Sequence, residues 1–169
     1  MKKMSALCRI IDNISEWTGK GVSFILIPMC LILVYEVIMR YVFSRPTLFA
    51  HETGIYLFAF NGMMAGAWIL LVDGHVRMDV LHARFSPKTR AIVDLITAPL
   101  FFYFCAIVLW QGWEMALRSL TVFEHTASAW SPPWYPFKMI IPVATFLLLL
   151  AGIPKFWRDI LSAFGKDLS

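Results

Sequence analysis

Four long apolar stretches dominate the chain. Asp, Glu, Lys and Arg are absent from residues 22–35, 54–72, 95–113 and 139–154. A bilayer core about 30 Å thick requires about 20 helical residues, so the first and last stretches must extend into their flanks to cross it. Only helices satisfy their own backbone groups in lipid, and the alternating pattern of a membrane barrel strand is absent. The pattern therefore predicts an all-α membrane protein, a bundle of four transmembrane helices.

We predict one membrane domain over residues 1–169. Its transmembrane spans are expected at residues 21–43, 52–72, 91–115 and 135–156. The first span is expected to bend near Pro28. No small-x-small cleavage site follows it, which favours a retained span over a signal peptide.

Both ends of the chain show an amphipathic helical pattern. Residues 1–20 place apolar side chains on one face and charged ones on the other; the apolar set is Leu7, Ile10, Ile11, Ile14 and Trp17. This pattern is typical of a helix that lies in the membrane interface. Residues 157–169 form a similar amphipathic tail, for which simple anchoring at the membrane is the favoured interpretation.

The distribution of cations predicts the orientation in the membrane. With four spans, 11 of the 15 Lys and Arg residues fall on the side that holds both termini. Lys and Arg are retained on the cytoplasmic side. We therefore expect both termini to be cytoplasmic.

Composition excludes several classes of protein. Hydrophobic residues make up 59% and charged residues 15%, against roughly 25% charged residues in a soluble domain. The net charge of +4 is too small and too dispersed for a nucleic-acid surface. The three cysteines (Cys8, Cys30 and Cys105) are too widely spaced for a disulfide framework or a CxxC metal site.

Acidic and basic side chains flank the first connection. Glu36 and Arg40 lie four residues apart on one helix face, in the favourable order for an ion pair. Glu52 opens the second span. A charge inside the membrane is by default a functional candidate, but the penalty falls near the interface, where Glu36 is expected to lie. We therefore favour an ion pair that closes the helix end, or joins it to Glu52, over a role in transport or proton relay.

Small and polar residues in the second span suggest a helix contact. Asn61 lies near its centre, and Gly62 and Gly66 form a Gly-x-x-x-Gly pattern. Small residues allow helix backbones to approach closely, and a buried Asn can form a hydrogen bond across the interface. The pattern indicates a contact surface rather than catalysis.

The second connection contains the run Asp73-Gly74-His75-Val76-Arg77-Met78-Asp79. His75, Arg77 and Asp79 are interface candidates, because a network of ion pairs is favoured over a metal site that lacks the usual ligand spacing. The third connection is rich in Trp and Pro, and we favour anchoring in the interfacial belt over docking of a partner. The sequence predicts no catalytic, substrate-binding or metal-binding residue and no cofactor.

The order of these motifs carries a family resemblance. The pattern Glu36-x-x-x-Arg40-Tyr41-x-Phe43-x-x-Pro46-x-x-Phe49-x-x-Glu52 precedes the glycine-rich second span and the run from Asp73 to Asp79. Together with the length, the four spans and the Trp/Pro-rich connection, this order resembles the small membrane subunit of tripartite ATP-independent periplasmic (TRAP) transporters.

The resemblance implies a function and two protein partners. In that family a periplasmic binding protein captures an organic acid, and a large multi-span subunit imports it with the sodium gradient. The small subunit is then a non-enzymatic scaffold for the large one in the bilayer of the bacterial inner membrane. It widens the outer surface of the transporter for the binding protein, the further partner; whether that protein touches the outer loops of this chain is left open.

Two other classes remain as alternatives. A haem- or quinone-binding membrane anchor of a redox complex needs axial ligands that face each other at membrane depth, yet none of the four histidines lies in a charge-free stretch. A small four-helix enzyme that binds an anionic thiol cofactor needs a polar cluster larger than Glu36 and Arg40.

Overall fold

A computed structural model describes residues 2–72 and 87–163 of the chain. In these ranges it contains five helices, namely α1 (Lys2–Ser23), α2 (Leu26–Tyr41), α3 (Leu48–Leu71), α4 (Pro87–Thr121) and α5 (Tyr135–Ala163). The only strand-like feature among the described residues is an isolated bridge between His125 and Pro133 in the α4–α5 loop. The predicted all-α class is confirmed.

Four helical segments in the described ranges are long and apolar enough to cross a membrane. They are Cys8–Tyr41, Leu48–Leu71, Ile92–Thr121 and Tyr135–Leu161. Their number confirms the four spans predicted from the apolar pattern. The first segment combines most of α1 with α2, so the helix predicted to lie in the interface continues directly into the first span.

The junction between α1 and α2 is a local break at Phe24 and Ile25. Pro28 has no backbone N–H, and its ring would clash with the carbonyl of Phe24 in a regular helix. The chain instead forms tighter bonds, from Ile25 N–H to the Val22 carbonyl at 3.0 Å and from Ile27 N–H to the Phe24 carbonyl at 3.2 Å. The break therefore lies just before the proline that causes it.

The four longest apolar segments pack in an open row. α2 packs on α3, α3 on α5 and α5 on α4, while α1 lies against both α3 and α5. Other helix pairs make at most marginal contact. Among the described helices, α2 and α4 form the two edges of this row, because they make at most marginal contact with each other.

The open row leaves only a small apolar core. Ala67, Leu70 and Ala151 are its buried members, with Phe101, Leu147 and Leu148 packed around them. Many large apolar side chains are exposed instead, as expected where lipid or another membrane protein takes the place of water.

Close helix approaches depend on individual glycines. A Cβ atom at Gly19 would overlap the side chain of Trp68, where α1 meets α3. A Cβ atom at Gly152 would lie 2.8 Å from the ring of Phe101, where α5 meets α4. At Gly21, by contrast, a Cβ atom would meet nothing within 4 Å. Small residues thus set the distance between neighbouring helices at specific contacts.

The substitution Gly19→Leu should lower the stability of the fold by about 1–3 kcal/mol, because the added side chain must displace Trp68 or α1. Gly21→Leu is the matched control, two residues away on the same helix, and should leave stability unchanged or slightly raised. Thermal unfolding in detergent measures both. Equal losses for the two variants would contradict the close contact at Gly19.

Candidate functional site

The principal polar site joins the end of α2 to the start of α3. Glu36 is only 5% exposed, although it lies one turn before the end of α2. Its Oε1 atom accepts hydrogen bonds from Arg40 Nη2 at 2.8 Å and from Arg40 Nε at 3.2 Å. The ion pair expected from the sequence spacing is thus present, with the carboxylate buried and the guanidinium half-exposed.

The second carboxylate oxygen of Glu36 binds the beginning of α3. Glu36 Oε2 accepts a bond from Thr47 N–H at 3.1 Å and another from the Thr47 hydroxyl. Thr47 is the N-cap residue of α3. In a capping box, a Glu at the third helical position satisfies the N-cap N–H, but that position here is Ala50. Glu36 of the preceding helix therefore supplies the missing carboxylate.

The intervening turn brings Thr47 back to Glu36. Ser44 adopts a left-handed conformation (φ 53°), and Arg45 N–H donates to the Met39 carbonyl at 2.9 Å, which ends α2. Pro46 follows and cannot continue the helix. We call Glu36, Arg40 and Thr47 the Glu36 cluster; it fixes the α2–α3 connection by charge-assisted hydrogen bonds.

Glu52 has a different partner from the one expected. Its Oε2 atom accepts a hydrogen bond from Ser128 Oγ at 3.0 Å. Ser128 belongs to the α4–α5 loop, and its hydroxyl also accepts a bond from Ser131 N–H at 3.1 Å. Glu52 thus attaches the loop to the first turn of α3, at the same end of the protein as the Glu36 cluster.

A second ion pair holds the same loop to α5. Lys138 Nζ lies 2.5 Å from Glu124 Oε2 and 5.0 Å from the centre of the Trp134 ring. The hydrogen bond from Lys138 lowers the pKa of the Glu124 carboxyl below its ordinary value of 4.5. The aromatic ring of Phe137 stacks on Tyr56 of α3 at 4.1 Å. The loop is therefore attached to α5 through Lys138 and to α3 through Glu52, and Phe137 of α5 itself packs on α3.

The three candidates in the second span face different surroundings. Asn61 Nδ2 donates to the Val22 carbonyl at 2.9 Å, which places a donor at the α1–α2 break. A Cβ atom at Gly66 would make ordinary contact with Leu148, at 3.9 Å. A Cβ atom at Gly62 would meet nothing within 4 Å. Within the part of the chain that the structure describes, the Gly-x-x-x-Gly pattern therefore does not form one contact, and Gly62 lies open beside α3.

Three of the sequence candidates, His75, Arg77 and Asp79, lie outside the described residues. The two histidines inside the described ranges, His51 and His125, are both exposed beside the polar contacts of the α4–α5 loop. No group of three His, Cys, Asp or Glu side chains capable of holding a metal occurs within the described ranges.

Several polar partners were not identified from the sequence. Turns and loops bring together three pairs that are distant in sequence or lie across a loop. They are Glu36 with Thr47, Glu52 with Ser128, and Glu124 with Lys138. Arg158 of α5 binds Asp12 of α1, with Nη1 and Oδ2 separated by 3.2 Å. Only Thr47 has a local signal, because a Thr that follows Pro in front of an apolar run is a typical helix start.

Comparison with known proteins identifies one family. Residues 29–162 match the family model described as "Tripartite ATP-independent periplasmic transporters, DctQ component". The match begins directly after Pro28 and covers most of the chain, including the Glu36 cluster and the α4–α5 loop. No curated protein matches the sequence.

Glu36→Gln should lower the thermal stability of the fold, because a neutral amide replaces the buried carboxylate that binds Arg40 and Thr47. The matched control is Glu16→Gln in α1. Glu16 also forms a four-residue-spaced pair, with Lys20 at 2.5 Å, but that pair is exposed and should contribute little. Thermal unfolding of both variants in the same detergent tests the difference. A similar small change in both would contradict the importance of burial.

The lowered pKa of Glu124 predicts a pH dependence of stability. The stabilising contribution of its pair with Lys138 should be complete above pH 4.5, and should be lost as the pH falls through the lower pKa of the folded state. The stability difference between the wild type and Glu124→Gln should therefore be constant from neutral pH down to about 5 and shrink in more acidic solution. Melting temperatures measured across this range provide the test; a difference that vanishes already near neutral pH would contradict it.

Proposed function

The chain belongs to the DctQ component family of tripartite ATP-independent periplasmic transporters, and from this premise we propose that it is the scaffold subunit of a sodium-driven organic-acid importer. The observation that carries the proposal is the family match over residues 29–162. The family works with a large membrane subunit and a periplasmic binding protein. In the proposed complex the large subunit supplies the transport sites and this chain supports it in the membrane.

The open helix row supports a scaffold role. A closed bundle hides most of its apolar surface, whereas in this row each of the five helices exposes large apolar side chains. The charged residues of α2 to α5 lie near the helix ends and not at mid-depth. Such a row offers a large surface to a neighbouring membrane protein and no charged site at its centre.

The position of α1 supports the proposed orientation and its place at the membrane surface. Among its residues from Cys8 onward, Ser15, Gly19 and Val22 are buried, while Ile10, Ile14 and Trp17 are exposed. These exposed apolar side chains would enter the inner leaflet while the charged face remains in water. We propose that both termini lie in the cytoplasm and that the protein spans the bacterial inner membrane.

The opposite end of the row would then face the periplasm. It contains the Glu36 cluster and the α4–α5 loop, which Glu52 and Lys138 hold in place. A loop fixed at several points presents a constant surface, as docking of a binding protein requires. We propose that the binding protein contacts this end when it delivers the organic acid.

One exposed stripe of α3 suits contact with the large subunit. Ile55, Phe58 and Gly62 follow each other at helical spacing, and the first two are large, exposed apolar residues. Gly62 leaves open space beside them. A helix of the large subunit can approach most closely at such a point.

Reconstitution tests the proposed function. Vesicles that contain this chain, its large subunit and the binding protein should accumulate the organic acid that saturates the binding protein, and only with an inward sodium gradient. Gly62→Leu should lower co-purification with the large subunit about tenfold, because the added side chain separates the two helices. Gly21→Leu is the control, an equally open glycine on α1 outside the family match. The proposal fails if this chain transports the acid alone, or if the large subunit reaches full uptake without it.

A further inference from the structure

An apolar groove runs between α4 and α5 on the surface of the row. Its volume is about 700 Å³. Ala106 provides the space, while Trp110, Trp113 and Phe146 form walls. Both Trp residues are more than half exposed, so the groove is open along its side. Its volume and apolar walls suit a flexible hydrocarbon chain.

A polar pocket of about 420 Å³ adjoins the groove at the end of the hairpin that bears the α4–α5 loop. Glu114 lines both spaces. The pocket also contains Gln111, Arg118, Glu124 and Lys138. The apolar groove is therefore continuous with a group of two acidic and two basic side chains. Along α4, the passage from the shared Glu114 to Arg118 takes about one helical turn.

Only one acid and one base of this group are open to a ligand. Lys138 is 18% exposed and is bound to Glu124 at 2.5 Å. Arg118 is 83% exposed, Glu114 is 48% exposed, and their closest charged atoms are 3.8 Å apart. An ion pair this long and this exposed contributes little to stability, so the charged groups of a ligand can readily take the place of either partner. The pocket thus offers one available cation beside one available anion.

We propose that the groove and the pocket together bind one zwitterionic phospholipid with a primary-amine headgroup. An acyl chain lies in the groove, the phosphate binds Arg118, and the ammonium group binds Glu114. A guanidinium is well suited to phosphate oxygens, and a carboxylate accepts hydrogen bonds from a primary ammonium. This goes beyond the proposed function, because it holds whichever solute the complex imports.

Charge complementarity favours this occupant over others. An anionic lipid would satisfy Arg118 but bring no cation to Glu114. A quaternary-amine lipid would match the charge yet donate no hydrogen bond to the carboxylate. An apolar partner helix would fill the groove but add no charged group to the long Glu114–Arg118 pair in the pocket.

The site would have a structural effect on the edge of the row. Among the described helices, α4 packs substantially only on α5, so one of its sides lacks a substantial neighbour within the described ranges. A lipid that touches both helices and their charged end would stabilise the hairpin by binding the folded state preferentially.

Native mass spectrometry of the complex with the large subunit tests the proposal. The purified complex is stripped of lipid and offered equal amounts of phosphatidylethanolamine, phosphatidylglycerol and phosphatidylcholine. Ala106→Phe fills the groove, and Ile107→Phe is the control that adds a similar ring at the neighbouring exposed position, outside the groove. Arg118→Gln removes the phosphate partner at an exposed position that should not affect folding.

The wild type and Ile107→Phe should retain phosphatidylethanolamine in preference to the other two lipids, and Ala106→Phe should lose the adduct. Arg118→Gln should weaken retention about tenfold, as expected for the loss of a charge-assisted hydrogen bond. Equal retention by Ala106→Phe, or equal retention of phosphatidylglycerol by the wild type, would overturn the proposal. Crosslinking of Ala106→Cys to the large subunit without a lipid adduct would also overturn it and identify the groove as a protein interface.

Discussion

The buried carboxylate of Glu36 determines how the first part of the row is assembled. A charge removed from water must be matched by hydrogen bonds, and Arg40 and Thr47 provide them from two successive helices. Among the described helices α2 has one substantial neighbour, α3, so the connection between them strongly affects where α2 lies. The same carboxylate satisfies the N-cap amide at the start of α3 and lies where the helix dipole favours negative charge. One side chain thus binds Arg40 in the last turn of α2, caps the start of α3 at Thr47 and holds the two helices together.

The rest of the row depends on small contacts in place of a large core. Gly152 brings α5 against α4, Gly19 brings α1 against α3, and Asn61 provides a polar link at the α1–α2 break. Lipid offers no hydrophobic force to drive helices together, so such close approaches and polar bonds carry more of the specificity than in a soluble domain. The apolar side chains that remain exposed are consistent with a protein that packs against another protein in the membrane. That is the physical basis on which a scaffold role is proposed for this member of the DctQ component family.

The sequence predicted features with a local cause and missed those that depend on the path of a turn. The stretches without charged residues predicted the four spans, and the four-residue spacing of Glu36 and Arg40 predicted their ion pair. Thr47 was missed as the partner of Glu36, because 11 residues and a left-handed Ser44 separate them. The order of the helices was also beyond prediction, since spans that face lipid are apolar on all sides and show no inward stripe. Gly62 and Gly66 form one motif in sequence, but among the described residues a Cβ atom would meet a neighbour at Gly66 and none within 4 Å at Gly62.

The break at Phe24 and Ile25 also divides the first candidate span into two cooperative units. Helix formation propagates through consecutive backbone hydrogen bonds, and Pro28 interrupts that series. Fraying that starts in α1 will therefore stop at the break and leave the hydrogen bonds of α2 intact. The family match begins at residue 29, so the matched region lies on the side of the break that fraying of α1 does not reach. A change in the length or sequence of α1 therefore need not unwind α2.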